Sequence, residues 1–218
     1  MNPDKVQVLW TPGYTKICLA NFLLFLSQYV LLPGLTVILA SQLEISIFSL
    51  GYLYLLITAG IIISGPFYAY LVDTFKRKYV NLISWFVLLI ITFIYPVINT
   101  TNELVILALL HGIFFGIVNM TSITLSIDLT VSPNRNRGNV IFGWASRLGM
   151  ILGIALGSGL YFMEDFTFIK YTSVILGCLG ILVILSTRIS FRAPIGLNVF
   201  SLDRFFMPRG FLPMLSLI

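Results

Sequence analysis

Six apolar stretches, each about the length of a bilayer-crossing helix, limit what this sequence can fold into. A helix needs about 20 mostly apolar residues to cross about 30 Å of hydrocarbon. The stretches that qualify are Ile17–Ala40, Ile45–Val72, Tyr79–Ile98, Leu104–Ile127, Gly138–Phe162 and Phe168–Thr187. Only 10% of the 218 residues are charged, whereas a soluble domain carries about 25%. The sequence therefore predicts an all-α membrane protein, a bundle of six transmembrane helices in lipid.

The loops between these helices are short, so helices adjacent in sequence should run antiparallel, side by side. Short cytoplasmic loops collect Lys and Arg. Of the 13 basic residues, 11 fall on one face of the predicted bundle. They are Lys5, Lys16, Lys76, Arg77, Lys78, Arg135, Arg137, Arg188, Arg192, Arg204 and Arg209. This pattern predicts a multi-pass protein of the plasma or inner membrane with both termini in the cytoplasm.

The predicted organisation has three parts. A cytoplasmic segment at 1–16 precedes the transmembrane domain at 17–187, and a basic cytoplasmic segment follows at 188–218. Its last residues, Phe211–Ile218, are apolar but too few to cross a bilayer. We expect them to begin a seventh helix, which would make this chain part of a longer natural unit. A tail lying at the membrane interface is the alternative.

The sequence lacks the residues that other functional classes need. The net charge of +5 does not indicate nucleic acid, because the basic residues punctuate apolar runs instead of clustering on a water-facing surface. One histidine and two distant cysteines, Cys18 and Cys178, provide no metal-ligand spacing, and no phosphate-binding glycine loop or Gly-x-Ser-x-Gly turn occurs. We therefore expect no enzyme activity, no metal site and no cofactor.

The second loop carries the most specific motif. The segment from Ala69 to Lys78 resembles the signature loop of the major facilitator superfamily, Gly-x-Leu-Ala-Asp-Arg-x-Gly-Arg-Lys. The matching residues are Leu71, Asp73, Arg77 and Lys78. The departures from its two glycines and first arginine are Ala69, Thr74 and Lys76. The motif lies between the second and third helices on the predicted cytoplasmic side, where that family carries it.

The resemblance implies a gating role for Asp73. An acid at a helix end can pair with basic loop residues or with the positive N-terminus of a neighbouring helix, and can release when helices rock apart. We predict that Asp73 is such a latch. A carboxylate that only balances the neighbouring Lys76, Arg77 and Lys78 at the lipid headgroups is the alternative.

The fifth helix carries glycines every four residues, at Gly149, Gly153 and Gly157. This spacing makes a smooth face for close helix contact. The resemblance implies contact with a helix of another transporter half, and packing within the six helices is the alternative. Antiporters of the family often have Gly-Pro where this chain has Gly153-Ile154, which argues against drug/proton antiport.

Five polar residues are candidates for a solute or proton path. They are Asn21, Gln28, His111, Asn119 and Arg147. In the family the first and fourth helices line the central path. Because polar side chains facing lipid are costly, we expect these residues to line a cavity in preference to joining helices.

His111 and Arg147 each allow two interpretations. The only histidine could pass protons, since its unperturbed pKa of about 6.5 is near neutrality, or it could be a neutral side chain bonded to a neighbouring helix. It stands beside Gly112, where the family often has an arginine four residues before a glycine. Arg147 could contact an anionic substrate group or a coupling carboxylate of another half. The alternative is that it reaches the membrane interface or pairs with Asp128.

The resemblance covers the first helix to the start of a seventh. It implies the N-terminal six-helix half of a twelve-helix secondary transporter, built as a 3+3 inverted repeat. The expected function is proton-coupled movement of a small solute, as in a symporter, by alternating access. The expected partners are the solute, protons, the bilayer and a C-terminal six-helix half. The alternative is a self-contained six-helix membrane protein, either a dimerising half-transporter or a channel.

Overall fold

Six α-helices make up the part of the chain that the computed structural model describes, residues 9–44, 46, 51–161, 166–189 and 199–200. They are α1 (Pro12–Gln42), α2 (Gly51–Thr74), α3 (Arg77–Ile94), α4 (Thr101–Asp128), α5 (Arg135–Tyr161) and α6 (Phe166–Leu185). Each is long and apolar enough to cross a membrane. The predicted six-helix membrane protein is confirmed, while the predicted start of a seventh helix at Phe211–Ile218 lies outside the described residues.

Local sequence signals explain where helices begin. At α1 the Thr11 side chain accepts a hydrogen bond from the Tyr14 amide at 3.2 Å, and Pro12 occupies the first helical position. At α4 Thr100 and Glu103 form a reciprocal capping box. These caps satisfy amides that the first turn of a helix cannot bond internally.

Contacts between helix ends define one end of the bundle. Lys16 at the start of α1 donates to the Ser186 carbonyl just after α6, at 3.1 Å, and Tyr14 donates to the Gly138 carbonyl near the start of α5, at 2.6 Å. The link between α2 and α3, which carries the signature motif, lies at this end, because Arg77 meets Asp128 at the end of α4. We call it the motif end.

The centre of the bundle is formed by α1 and α4. The most extensive contacts of α1 are with α5 and α6, and those of α4 are with α2 and α3. The prediction that sequence neighbours pack side by side is wrong for α1 and α2, whose described backbones barely approach each other, although the Thr36 and Tyr54 hydroxyls are 2.6 Å apart. A short loop dictates the antiparallel direction of two helices, but the closest partner of α1 is chosen by the small residues of α5.

The packing pattern repeats when α1, α2 and α3 are exchanged for α4, α5 and α6. The α1–α5 contact then corresponds to α4–α2, and α1–α6 corresponds to α4–α3. Since α1 starts and α4 ends at the motif end, the two three-helix units run in opposite directions. The predicted 3+3 inverted repeat is therefore confirmed.

Glycines on α5 form a seam with α1. A Cβ at Gly149 would lie 2.5 Å from the Phe22 carbonyl oxygen, and a Cβ at Gly157 would overlap the Val30 carbonyl oxygen. Gly153 faces α1 in the same way. This glycine face therefore packs against α1, within the six helices, which is the alternative interpretation.

The equivalent seam joins α2 to α4. A Cβ at Gly112 would overlap the Ile57 carbonyl oxygen and lie 3.0 Å from the Cα of Gly60, while one at Gly116 would lie 2.5 Å from Ser64 Oγ. No side chain fits at position 112 without separating the two helices. This contact explains why the chain has glycine, and not the family's frequent arginine, four residues before Gly116.

Candidate functional site

A groove of about 440 Å³ opens on the face of the bundle formed by α1, α4 and α5. The described residues that line it are Phe25, Asn119, Ile123, Asn139, Phe142, Gly143, Ser146, Arg147 and Met150. This set combines an apolar floor with two amides, one hydroxyl and one guanidinium. It contains a cation and no carboxylate, so the lining described here favours an anionic group.

Arg147 supplies the charge of the groove. It lies twelve residues after Arg135, which is about 18 Å along α5 at about 1.5 Å per residue. Its side chain is exposed, and its guanidinium carbon lies 5.8 Å from the centre of the Trp144 ring. A charge this deep in a membrane helix normally faces water or a partner. The alternative partner considered for it, Asp128, forms an ion pair with Arg77 instead.

Asn21 lies beneath the groove and is only 1% exposed. Its amide nitrogen donates to Ser146 Oγ at 2.6 Å and to the Phe142 carbonyl at 3.2 Å. These bonds tie α1 to α5 and orient the Ser146 side chain. Asn21 therefore joins helices and positions a lining residue, but does not itself line the groove.

Gln28 and His111 do not line the groove. Gln28 is buried and donates to Ser27 Oγ at 3.4 Å. His111 is buried against Tyr95, whose hydroxyl is 3.3 Å from Nδ1, and against Phe115. This geometry matches the predicted bond to a neighbouring helix, because Tyr95 directly follows α3. Of the five candidate path residues, the structure thus brings only Asn119 and Arg147 together in the groove.

The signature motif forms a second cluster, at the motif end. Arg77 Nη1 donates to Asp128 Oδ2 at 2.5 Å, and its Nε donates to the Val72 carbonyl at 3.2 Å. Lys78 Nζ donates to the carbonyls of Leu185 and Thr187 at 2.7 and 2.9 Å. The two basic residues that match the motif therefore connect the start of α3 to the ends of α2, α4 and α6.

The acid of the motif is buried, since Asp73 in the last turn of α2 is 8% exposed. Leu71, the other matching residue, is half-buried. Because Arg77 and Lys78 bond to Asp128 and to α6, their contacts reach beyond the motif. The loop is thus part of a network that ties helix ends together.

Several contacts of the candidate site were not predicted from the sequence. Asp128 is the partner of Arg77, and its position at the end of a predicted helix on the basic face was an available signal. Asn139 and Ser146 line the groove with Arg147. Asn139 precedes Ser146 by seven residues and Arg147 by eight. Both distances are about two helical turns, which places the three residues near one face of α5.

Comparison with known proteins gives two results. The sequence pattern of the Major Facilitator Superfamily matches residues 17–206. The "Staphyloferrin B transporter" of Staphylococcus aureus (strain NCTC 8325 / PS 47) is 25% identical over 157 residues, which cover 69% of this chain and 37% of the relative. The chain therefore spans little more than a third of the length of the curated relative it matches.

Proposed function

The chain belongs to the major facilitator superfamily, a family of transporters and not of enzymes, and we propose that its groove between α1, α4 and α5 is one wall of a solute pathway. The observation that carries this proposal is the exposed Arg147 in a groove with Asn119, Asn139 and Ser146. A guanidinium with adjacent amides and a hydroxyl can bind an anionic group with several hydrogen bonds.

A groove open on one side cannot enclose a solute. We infer that the opposite wall comes from a second six-helix unit, the C-terminal half of a longer protein. The chain's coverage of 37% of the related transporter supports this arrangement. The two units would rock about a solute held between them, giving alternating access. A second copy of this chain would supply the opposite wall if the unit were a dimerising half-transporter.

The proposed solute is small and carries a carboxylate or another anionic group facing Arg147. The relative's name provides the first probe, staphyloferrin B, which is to be compared with simple carboxylates and with neutral solutes. The test is uptake by the natural full-length protein in proteoliposomes. Uptake restricted to neutral or cationic solutes would contradict the proposal.

Substitution of Arg147 tests the groove itself. Arg147→Gln should lower affinity for the anionic solute by at least about tenfold, because a hydrogen bond to a charged group contributes about 1.5–3 kcal/mol. Arg147→Lys should give a smaller loss, since a lysine cannot make the two-pronged contact. Arg137→Gln, on the same helix outside the groove, is the control. Equal affinities in all three variants would refute a binding role.

Asp73 is the proposed latch of the signature loop. Asp73→Asn should slow transport by the full-length protein about tenfold or more while leaving its amount in the membrane unchanged. The amide keeps the shape of the side chain and removes the charge that a latch needs. Wild-type flux in this variant would reduce Asp73 to a charge-balancing residue.

Proton coupling, as in a symporter, is a further part of the proposal, and His111 is its candidate relay. Its contact with Tyr95, 3.3 Å away, offers a hydroxyl to exchange a proton with, although neither residue lines the groove. Uptake measured with and without a pH gradient tests the coupling. In His111→Gln, coupled uptake with an unaltered pH profile would remove His111 from the relay.

The proposed topology places the motif end and both termini in the cytoplasm, with the protein in the plasma or inner membrane. The supporting observation is the basic charge gathered at the motif end, where Lys16, Arg77 and Lys78 meet other helix ends. Short cytoplasmic loops collect such residues. Labelling of Lys76 in intact cells by a membrane-impermeant amine reagent would contradict this topology.

A further inference from the structure

Two adjoining cavities lie at the motif end, apart from the groove. The first, of about 430 Å³, we call the cationic cavity; it is lined by Val72, Phe75, Lys76, Arg77, Lys78, Tyr79, Asp128, Leu185, Ser186, Thr187, Arg188 and Ile189. The second, of about 700 Å³, we call the apolar cleft; it is lined by Leu71, Thr74, Phe75, Lys76, Tyr79, Val80, Ile83, Ser84, Phe114 and Ile117. Phe75, Lys76 and Tyr79 line both, so the two spaces meet at the link between α2 and α3.

The cationic cavity has an excess of positive charge. Among its described lining residues are four cations and one carboxylate, and that carboxylate, Asp128, is paired with Arg77. Lys78 donates to the neutral carbonyls of Leu185 and Thr187, and these two bonds do not neutralise its charge. Arg188 is exposed at the rim. Such a cluster at a membrane surface attracts phosphate groups.

The apolar cleft extends from the cationic cavity towards the middle of the bilayer. Ile83 lies six residues beyond Arg77 and Ile117 eleven residues before Asp128, which places them about 9 Å and about 16 Å from the motif end. Ile83 is 63% exposed. The cleft exists because α2 and α3 make few contacts beyond their link, so their splayed faces leave a gap backed by α4.

We propose that these two cavities together bind one anionic glycerophospholipid. Its phosphate lies in the cationic cavity near Lys76 and Arg188, and one acyl chain lies in the apolar cleft against Ile83. Phe75 and Tyr79 stand at the boundary, where aromatic side chains suit the interface between headgroups and hydrocarbon. A free phosphate would use only the first cavity. The site shares no described lining residue with the groove that contains Arg147.

The charge half of the proposal is tested by lipid selectivity. The full-length protein is reconstituted in phosphatidylcholine vesicles, and electron spin resonance measures the relative association of spin-labelled phosphatidylglycerol and phosphatidylcholine. Lys76→Gln with Arg188→Gln should lower the preference for phosphatidylglycerol about thirtyfold, since each of the two basic residues contributes about 1 kcal/mol to anionic-lipid attraction and about 1.4 kcal/mol is a tenfold change. Arg135→Gln with Arg137→Gln removes the same charge at the same end outside both cavities and should have little effect. Equal losses in the two double variants would overturn the site.

The acyl half is tested by filling the cleft. Ile83→Trp should reduce the association of phosphatidylglycerol at least about threefold without altering charge, whereas Ile90→Trp, two turns further along the exposed face of α3, should leave it unaltered. Inorganic phosphate and glycerol phosphate at millimolar concentration should not displace the lipid. Displacement by either anion, or identical binding in Ile83→Trp and Ile90→Trp, would show that no acyl chain occupies the cleft and would refute the proposal.

Discussion

The two glycine seams of this protein are equivalent by the internal repeat, yet they are built differently. In the α2–α4 seam, glycine meets glycine, with the Cα atoms of Gly60 and Gly112 approaching across the interface. In the α1–α5 seam, glycines occur on α5 alone and meet the backbone at large residues of α1 such as Phe22 and Val30. Both seams bring two backbones together, but only the first has glycines on both helices.

Polar side chains lie beside the α1–α5 seam, at the groove. Asn21 and Ser146 bond across α1 and α5 beside the groove, so this seam also positions candidate binding residues. The α2–α4 seam runs towards the motif end, where α4 finishes with Asp128 and its ion pair. The comparison teaches that one packing solution, used twice, supports the proposed solute groove on one side and a helix-end network on the other.

The largest expected effect follows from placing a side chain in the α2–α4 seam. Gly112→Val should destabilise the protein by about 3 kcal/mol or more, because its Cβ would overlap the Ile57 carbonyl oxygen. This corresponds to a fall of roughly 10 °C in the unfolding midpoint, measured by fluorescence in detergent. Gly143→Val, where a Cβ meets nothing within 4 Å, is the control. A similar midpoint in both variants would break the argument for this seam.

A smaller effect is expected in the α1–α5 seam. Gly157→Ala should destabilise by about 1–2 kcal/mol, since the added Cβ would overlap the Val30 carbonyl oxygen. Gly159→Ala lies on the open face of the same helix and should be neutral or stabilising by about 0.5 kcal/mol, because alanine favours helix more than glycine does. The same thermal assay distinguishes them. If Gly159→Ala were the more harmful change, the orientation of α5 would be wrong.

The ion pair at the motif end should contribute about 1 kcal/mol of coupling. Arg77→Gln and Asp128→Asn each leave one partly buried charge without its partner, so the double variant should lose less stability than the two single losses added together. The side chains are 23% and 11% exposed, which keeps the interaction below that of a fully buried pair. Strictly additive losses would indicate that the pair adds no stability.

The smallest of these effects concerns the bond beside the groove. Asn21→Ala should destabilise by about 1 kcal/mol, because it removes a buried donor to Ser146 and Phe142. Asn119→Ala, at a half-buried lining position, should alter stability by less than about 0.5 kcal/mol but should weaken solute binding. Reversed results would exchange the roles assigned to the two asparagines.

The sequence predicted the helices well because lipid solvation leaves a strong signal in every span. It also predicted that the glycine face of α5 packs against a helix, since small residues at a four-residue spacing have few other uses in a membrane helix. It did not predict which helix that face meets. Hydropathy carries no information about neighbours, so α1 and α2 were wrongly expected to pack together.

The candidate site was only partly predictable. Arg147 is conspicuous as a charge deep inside a span, and Asn119 shares its groove. Asn21, Gln28 and His111 were expected to line a cavity because polar residues avoid lipid, but contacts between helices satisfy that requirement equally well. Sequence alone cannot distinguish a cavity-lining residue from one that bonds to a neighbouring helix. Both side chains avoid lipid, and they differ only in whether a cavity or another helix faces them.

The most direct test of the account is whether the groove beside Arg147 is open to water in the membrane-embedded, full-length protein. Gly143→Cys, in a background with Cys18 and Cys178 replaced by serine, is compared with Ile175→Cys on the exposed face of α6. In opened membrane vesicles, a charged maleimide should label Cys at position 143 and not at position 175. Labelling of position 175 with position 143 unreactive would contradict the proposed solute pathway.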